Sequence, residues 1–317
     1  MTATAAANGS GILAIDAGGT YFKSAIISGQ GTLIAGSFYQ EPAGSGNKKD
    51  EVIMAYEKII RHALGYALAH GVKIDGIGIS TPGPFDYKRG ICLMKHKFSC
   101  LYEVNVPEAI RAVLPEIASI PVRFRHDANS FLAGEMWCGA AQGFTRTGGV
   151  TLGTGIGVAC CIDGEFLINE LGSPAPEVSV WNKPYCKGIV EDYVSSRALV
   201  EKYRRRRPDY AIAGGARGVA GAAKQGDSDA LKAYMELGAD LGTILLSWCE
   251  RFRPQAIIFG GQISNAFELF APSLCQIFSQ INAPPKLAAS QLGAEAALYG
   301  VAALFRKNDI RKIFSRI

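Results

Sequence analysis

The sequence contains no apolar run near the roughly 20 residues that a membrane-spanning helix needs. Its first ten residues also lack the basic and apolar segments of a signal peptide. We therefore expect a cytoplasmic protein without a membrane partner, and we interpret residues 1–10 as a disordered leader. Neither sign of charge is in strong excess, since 33 Lys and Arg against 28 Asp and Glu give a net charge of +5. So mild an excess gives no reason to expect a nucleic acid partner.

The eight cysteines form no Cys-x-x-Cys pair and no regular framework. Most of them lie in apolar runs, so we expect reduced, buried thiols. Two nucleotide-binding motifs are missing as well. The sequence has no G-x-x-x-x-G-K-[ST], and Gly153, Gly155 and Gly157 do not have the spacing of G-x-G-x-x-G. A P-loop NTPase and a Rossmann dehydrogenase are therefore poorly supported.

The sequence does contain a glycine turn between two apolar strands at residues 11–27. Asp16 ends the first strand, and Gly18, Gly19 and Thr20 form the turn. Two adjacent glycines leave backbone N–H groups uncovered, which suits an anion such as phosphate. A carboxylate beside a phosphate site commonly holds Mg²⁺ or a metal-bound water. A plain hairpin with a capping aspartate explains the same residues.

A second copy of this pattern occupies residues 148–164, with Gly153, Thr154 and Gly155 in the turn. The two copies begin about 135 residues apart, which is typical of an internal duplication. Two related lobes, each with a phosphate-binding hairpin, predict a nucleotide held in a cleft between them.

Three further segments follow predicted strands at the edge where open α/β sheets bind ligands. Residues 80–84, Ser-Thr-Pro-Gly-Pro, form a stiff turn, and a turn with a purely structural role explains these residues as well as a ligand site does. Asp127 follows the strand predicted at 120–124 and begins a helix, where it suits a general base, although Asp127 or Asn129 capping the helix explains the same pattern. Gly260 and Gly261 follow a strand at 256–259 and allow close approach of a flat ligand such as adenine.

Hydrophobic periodicity predicts the remaining elements. We expect helices at 51–70, 106–117, 130–137, 189–205, 216–225, 228–252 and 294–305, and a further strand at 74–79. The basic run 202–207 favours a solvated helix end over a site for a polyanion such as polyphosphate.

Five motifs in this order resemble the ROK family (repressor, open reading frame, kinase) of bacterial sugar kinases. They are Asp16-x-Gly18-Gly19-Thr20, residues 78–84, residues 126–129, residues 152–157 and Phe259-Gly260-Gly261. The resemblance implies a two-lobed actin-like ATPase (ribonuclease H-like) α/β fold, each lobe a mixed sheet flanked by helices. We expect an N-terminal lobe at 11–128, joined by a C-terminal helix at 303–317, and a C-terminal lobe at 129–302.

The resemblance implies transfer of the γ-phosphate of ATP to a sugar hydroxyl group, which we expect to be at C6, with Mg²⁺ as cofactor. Asp127 matches the catalytic base, and Asp16 matches the carboxylate that holds Mg²⁺ through water. The residues expected to bind ATP are Asp16, Gly18, Gly19, Thr20, Lys23, Gly153, Thr154, Gly155, Gly260 and Gly261. Those expected to bind the sugar are Pro82, Gly83, Lys97, His126, Asn129 and Glu177. Family members commonly form homodimers, which we expect here.

The departures from the family pattern lie on the sugar side. His126 and Lys97 stand where the family usually has asparagine. Glu177 matches the sugar-binding glutamate of the family's Glu-x-Gly-His element, but the histidine of that element is missing. The family's zinc-binding cluster Cys-x-Cys-Gly-x-x-Gly-Cys is reduced here to Cys186-Lys187-Gly188. A Cys₃His site cannot be built from one cysteine, so we predict no structural zinc. Lys97 and His126, with Lys95 and His96, favour an anionic sugar such as a sugar acid, whereas side chains that face solvent or the lobe interface explain the same residues.

Two other functions remain open. A catalytically inactive ROK-like protein that senses a sugar or nucleotide has no need of a base at Asp127. A kinase of the same superfamily that acts on a non-sugar alcohol keeps that base. A ROK repressor carries an N-terminal helix-turn-helix, and the segment of about ten residues before the first strand does not predict one. The sequence leaves open whether ATP or polyphosphate is the donor.

Overall fold

The computed structural model describes residues 9–208 and 212–306. These residues form two compact units. The first unit contains the chain up to Cys138, the segment Ile168–Ser173 and the segment that begins at Glu295. The second unit contains Gly139–Leu167 and Pro174–Ala294. No helix in the described ranges is long and apolar enough to cross a membrane.

The first unit is built on a five-stranded mixed sheet. Its elements are β1 (Ser10–Ala17), β2 (Tyr21–Ser28), β3 (Tyr39–Pro42), α1 (Lys49–Ala69), β4 (Lys73–Thr81), β5 (Phe85–Asp86), β6 (Ile91–Cys92), α2 (Val106–Val113), β7 (Val122–His126) and α3 (Asp127–Cys138). The strand order is β3-β2-β1-β4-β7, and β1, β4 and β7 run parallel. Because β1 is central, its apolar run is buried from both sides, and the apolar positions of α1 pack against the same core.

The second unit is built on a sheet of the same design. Its elements are β8 (Arg146–Leu152), β9 (Ile156–Ile162), β10 (Glu165–Phe166), β11 (Pro184–Tyr185), β12 (Gly188–Ile189), α4 (Ser196–Arg204), α5 (Gly215–Lys224), α6 (Ser228–Phe252), β13 (Ala256–Gly260), α7 (Phe267–Phe278) and β14 (Lys286–Ala289). The strand order β10-β9-β8-β13-β14 repeats that of the first sheet, with an antiparallel hairpin followed by two parallel strands. This correspondence agrees with the predicted duplication.

The last described helix, α8 (Ala296–Ala302), belongs to the first unit, where it packs against α3. The two helices approach so closely that glycine is required on both. A Cβ atom at Gly300 would lie 1.7 Å from the carbonyl oxygen of Ser130, and one at Gly134 would lie 2.0 Å from that of Ala296. This contact keeps all of α3 in the first unit, so the first segment of that unit extends to Cys138, and the predicted lobe boundary at 128/129 falls inside α3.

Several predicted boundaries differ from the structure for local reasons. The helix predicted at 189–205 begins only at Ser196, because the Ser195 hydroxyl group caps it by accepting the Ala198 N–H at 3.3 Å. The helix predicted at 106–117 ends at Val113 because Leu114 precedes a proline, which disfavours the helical conformation. The α-helical part of 294–305 is shorter, with 3₁₀ turns on both sides of α8.

Two predictions fall partly outside the described residues. In the predicted leader 1–10, residues 1–8 lie outside, and Ser10 already belongs to β1. In the predicted helix 303–317, residues 307–317 lie outside, and Ala303–Phe305 forms a 3₁₀ turn.

Candidate active site

The parallel strands β1, β4 and β7 all end at one edge of the first sheet. In register, Asp16 lies beside Ser80 and Thr81 lies beside His126. The sequence continues from these strands into Gly18, Pro82 and Asp127. Carboxyl ends of parallel strands are where such sheets bind ligands. The fold therefore brings together three segments that the sequence analysis selected separately.

Asp16 lies directly opposite Lys23 in the β1–β2 hairpin, so the two side chains share one face of the sheet. Burial raises the pKa of Asp16 to about 6, the Lys23 ammonium group opposes this rise, and the charge of Asp127 adds to it. A small fraction of the Asp16 carboxyl groups is therefore still protonated at neutral pH. A cation beside it would favour the ionised form.

Gly18, Gly19 and Thr20 connect these strands in an open turn. A Cβ atom at Gly19 would meet only the Ser45 hydroxyl group at 3.6 Å and the Cδ atom of Lys97 at 3.9 Å. Lys97 is exposed, so its ammonium group is available beside the turn. The sequence did not predict this neighbourhood, because Lys97 and Gly19 are far apart in the chain and belong to different loops.

Asp127 is the first residue of α3 and follows His126, the last residue of β7. The His126 Nδ1 atom lies 3.0 Å from the Asp127 Oδ1 atom, which also accepts the Ala128 N–H at 2.7 Å. Burial alone would raise the pKa of Asp127, but 49% of its side-chain surface is accessible to water. His126, the Ala128 N–H and the charge of Lys97 together hold this pKa below its usual value. Asp127 is therefore ionised at neutral pH and able to accept a proton.

The segment Ile168–Ser173 completes this region of the first unit. Its Leu171 carbonyl group accepts the Tyr87 N–H at 2.9 Å, and its Gly172 carbonyl group accepts from the Asn129 side chain at 3.4 Å. The Oδ1 atom of Asn129 is buried and has no hydrogen-bond partner. A buried acceptor without a partner is unusual and suits a hydroxyl group of a ligand.

Gly83 lies in the same region of the first unit. A Cβ atom there would lie 3.3 Å from the Tyr87 hydroxyl group, 3.4 Å from the Ser173 hydroxyl group and 3.5 Å from the His126 ring. The Tyr87 hydroxyl group donates to the Thr81 carbonyl group at 3.0 Å. Tyr87 and Ser173 were not predicted, because neither belongs to a local motif and only the fold brings them to Gly83.

In the second unit, the Gly153–Gly155 turn between β8 and β9 is held by α4. Ser196 donates to the Gly153 carbonyl group from its backbone at 2.8 Å and from its hydroxyl group at 2.7 Å. The Glu191 carboxylate accepts the Ile156 N–H at 3.3 Å and approaches Gly155 so closely that a Cβ atom there would lie 1.9 Å from it. Glu191 was also missed, since only the fold brings it to the turn. An anion that binds at this turn must displace that carboxylate, because the two negative charges repel each other.

Gly260 and Gly261 lie beside this second turn, because β13 runs parallel to β8 and ends at the same edge. Gly261 has φ +85°, and a Cβ atom there would lie 2.3 Å from the Leu152 carbonyl oxygen. Only glycine fits this position. Thr154 is exposed at the adjacent turn. Gly153, Gly155, Gly260 and Gly261 thus all lie at the same edge of the second sheet.

Glu177 lies elsewhere in the second unit and is exposed. Its backbone carbonyl group accepts from the Lys183 ammonium group at 3.3 Å, and both residues line a cavity of about 390 Å³ beside Trp248. The sugar-binding role expected of Glu177 stays a prediction.

The basic run 202–207 is largely neutralised. Arg205 and Arg206 pair with Glu236, at 2.6 and 2.8 Å, and Arg207 pairs with Asp229 at 3.0 Å. Lys202 is 3% exposed and pairs with Glu236 and Asp240. These pairs favour the structural interpretation of the run over a polyanion site.

Within residues 9–208 and 212–306, no three His, Cys, Asp or Glu side chains cluster in a way that would hold a metal ion by themselves. This arrangement does not conflict with Mg²⁺, which is commonly bound by one or two carboxylates together with the phosphates of a nucleotide. Asp16 provides such a carboxylate beside the first glycine turn.

Comparisons with known proteins were made on the sequence and on the fold. The ROK family model matches residues 12–308. Glucokinase from Thermotoga maritima is 27% identical, over 93% of this chain and 97% of its own. The xylose repressor of Bacillus subtilis is 22% identical, over 92% of this chain and 75% of its own.

Solved ROK structures show the same fold. A ROK family glucokinase from Streptomyces griseus, in complex with glucose and AMPPNP, superposes with a TM-score of 0.76 at 24% identity, over 92% of this chain and 98% of its own. A ROK hexokinase from Thermus thermophilus gives a TM-score of 0.74 at 24% identity, over 95% and 99%. The predicted actin-like ATPase fold, with a mixed sheet and flanking helices in each unit, is thereby confirmed.

Proposed function

The chain belongs to the ROK family, and from this premise we propose that it is an ATP-dependent sugar kinase. It transfers the γ-phosphoryl group of ATP to a hydroxyl group of a hexose or hexose derivative, the one at C6. The glucokinase relatives and the glucose- and AMPPNP-bound structure of the S. griseus enzyme support both substrates. The repressor relative shows that family membership alone does not require catalysis.

The observation that carries the proposal is the ionised carboxylate of Asp127 at the ligand edge of the first sheet. Its pKa is held low by His126 and by the Ala128 N–H, so it is deprotonated at neutral pH. We assign it the role of general base, which orients the sugar hydroxyl group and accepts its proton as the phosphorus–oxygen bond forms. A protein that only binds a sugar has no need of such a base.

The phosphates of ATP are assigned to the glycine turns. Gly18, Gly19 and Thr20 supply backbone donors in the first unit, and Lys23 adds a positive charge. In the second unit, the Gly153–Gly155 turn supplies the other donors from Thr154 and Gly155, because the Gly153 N–H already donates to the Gly155 carbonyl group at 2.9 Å. The Glu191 carboxylate must move away from the turn for this to happen. Gly260 and Gly261 give the adenosine close access to the backbone. Mg²⁺, when bound to the nucleotide, would neutralise charge on the phosphates, and Asp16 would hold it through water.

The sugar is assigned to residues around Asp127. The unpaired Oδ1 atom of Asn129 accepts a hydroxyl group, and His126 contacts the sugar while it fixes the Asp127 carboxylate. Pro82 and Gly83 form the adjoining wall. Lys97 contributes a positive charge beside the first glycine turn and near Asp127. Glu177 is the contribution of the second unit to sugar binding.

The experiment that tests this proposal is coupled ADP release with Mg-ATP against hexoses, N-acetylhexosamines and sugar acids. Sugar-dependent turnover supports the kinase and identifies the sugar class. Binding of ATP without turnover on any sugar would favour the sensor, or a kinase for a non-sugar alcohol. A parallel series with polyphosphate decides the donor.

The proposal also includes a cytoplasmic homodimer, as the family resemblance implies. Light scattering during size-exclusion chromatography measures the oligomeric state directly. A mass of about 34 kDa would contradict the dimer, because the chain itself has a mass of 33.8 kDa.

A further inference from the structure

The first unit carries a small positively charged pocket that no part of the proposed reaction uses. The pocket has a volume of about 200 Å³ and is lined by the β5–β6 turn, the start of α2 and β7. Three cationic side chains line it, from Lys88, Arg89 and Arg111, and Glu108 is the one carboxylate among its lining residues. Within the part of the chain that the structure describes, none of the three cations has an ion-pair partner.

The backbone that presents Lys88 and Arg89 is held rigidly. The Asp86 carboxylate accepts both of their N–H groups, at 3.1 and 3.0 Å, and the Asp86 carbonyl group accepts the Gly90 N–H at 2.8 Å. Gly90 has φ +74°, and a Cβ atom there would lie 2.6 Å from the ring of Pro107 at the start of α2. The turn and the helix start are thus locked together, while both long side chains are exposed and unpaired.

Arg111 supplies the strongest indication of a ligand. Its Nη2 atom makes one long hydrogen bond, 3.5 Å, to the Ile120 carbonyl group. Its Nε atom is buried and has no hydrogen-bond partner. A guanidinium group is always charged and carries donors in a fixed fork, so a buried donor without an acceptor is unusual. An oxygen atom of a bound anion in the pocket would supply that acceptor.

The start of α2 contributes its positive dipole end but few free donors. The Val106 N–H donates to the Gly90 carbonyl group at 2.9 Å, Pro107 has no N–H, and the Glu108 N–H donates to the Asn105 side chain at 3.2 Å. Recognition therefore rests on the three side chains. Glu108 is exposed and free to turn toward water, so it weakens the site without blocking it.

We propose that this pocket binds a phosphate group, either as inorganic phosphate or as a phosphate monoester. The Arg111 Nε–H group donates to one oxygen atom, and Lys88 and Arg89 neutralise the dianion from the β5–β6 turn. Arginine and lysine are the side chains proteins commonly use for phosphate, and the pocket has room for that group. The proposal does not depend on the kinase activity or on its substrate.

The test is a titration of the full-length protein with inorganic phosphate at constant ionic strength, followed by NMR of the arginine Nε–H resonances. The Arg111 resonance is assigned by its loss in Arg111→Lys. We expect it to shift saturably with phosphate, and we expect the double variant Lys88→Ala/Arg89→Ala to weaken binding at least about tenfold. Glu108→Gln should tighten binding, because it removes the only negative charge from the lining.

A matched control removes two positive charges from α5 through Arg217→Ala/Lys224→Ala and should leave the titration unchanged. Glucose 6-phosphate, titrated beside inorganic phosphate and glucose, separates the two sources of the phosphate group. A saturable shift with either phosphate compound supports the proposal and identifies the source. Absence of a saturable shift with both, or equal affinity in the Lys88/Arg89 double variant, overturns it.

Discussion

Replacing Asp16 by asparagine should stabilise the protein without ligands while it abolishes the proposed activity. The pKa of Asp16 rises from 3.8 to about 6, chiefly through burial. At about 1.4 kcal/mol per pH unit, the ionised carboxylate costs the folded state about 3 kcal/mol at neutral pH. Because the folded state binds this proton more tightly than the unfolded state, the stability that Asp16 contributes is present below pH 3.8 and is lost as the pH rises toward 6.

The expected result is a difference between variant and parent that depends on pH. The gain in free energy of unfolding for Asp16→Asn should grow by about 2 kcal/mol between pH 4.5 and pH 7.5. Urea unfolding at several pH values measures it, in the absence of nucleotide and Mg²⁺.

The control is Asp75→Asn, in the same unit, where Ser10 and Lys73 hold the pKa of the carboxyl group below its usual value. Its ionised form is stabilising above the unfolded-state pKa of 3.8, so Asp75→Asn should be less stable than the parent by an amount that stays nearly constant between pH 4.5 and pH 7.5. If Asp16→Asn is less stable than the parent at pH 7.5, or if its gain in free energy of unfolding does not depend on pH, then burial does not raise the pKa of Asp16.

Three further substitutions test other parts of the structure. Lys202→Met leaves two carboxylates without their buried cation and should lower the free energy of unfolding by about 3 kcal/mol, measured by urea unfolding; a neutral effect would show that the other partners compensate. Gly261→Ala places a Cβ atom against the Leu152 carbonyl group at φ +85°. We expect it to lower the free energy of unfolding by about 2 kcal/mol or more and to weaken ATP binding measured by calorimetry. As the control, Gly221→Ala has nothing within 4 Å of the new Cβ atom and should raise the free energy of unfolding by about 0.5 kcal/mol. Lys97→Ala should reduce kcat/KM more for sugar acids than for neutral hexoses, and equal losses would contradict an anionic substrate.

Local sequence patterns predicted the elements that form the site edge of the first unit. The apolar run before Asp16, the paired glycines and the return strand specify the β1–β2 hairpin without help from the rest of the chain. A change from strand to helix around Asp127 was predicted as well, but the strand extends to His126 and the helix begins at Asp127, whereas the sequence predicted a strand at 120–124 and a helix at 130–137. The repeated glycine pattern at 148–164 predicted the β8–β9 hairpin of the second sheet for the same reason.

The contacts that local patterns did not predict are made between residues far apart in the chain. Glu191 reaches the second glycine turn because α4 begins later than its periodicity suggested, at a serine cap. The segment Ile168–Ser173 carries apolar residues of no regular period, and only tertiary contacts bring it to Tyr87. The pocket around Arg111 depends likewise on a turn and a helix that meet through Gly90.

The central claim is that Asp127 acts as the base of a sugar kinase. The most direct measurement compares Asp127→Asn with the parent in coupled ADP release, on the sugar that the panel identifies, with Asp75→Asn as the control. We expect sugar-dependent turnover in the parent and the control, and a loss of about 10²–10⁴-fold in kcat for Asp127→Asn, with sugar and ATP binding retained. Turnover within a few-fold of the parent in Asp127→Asn would show that Asp127 is not the base.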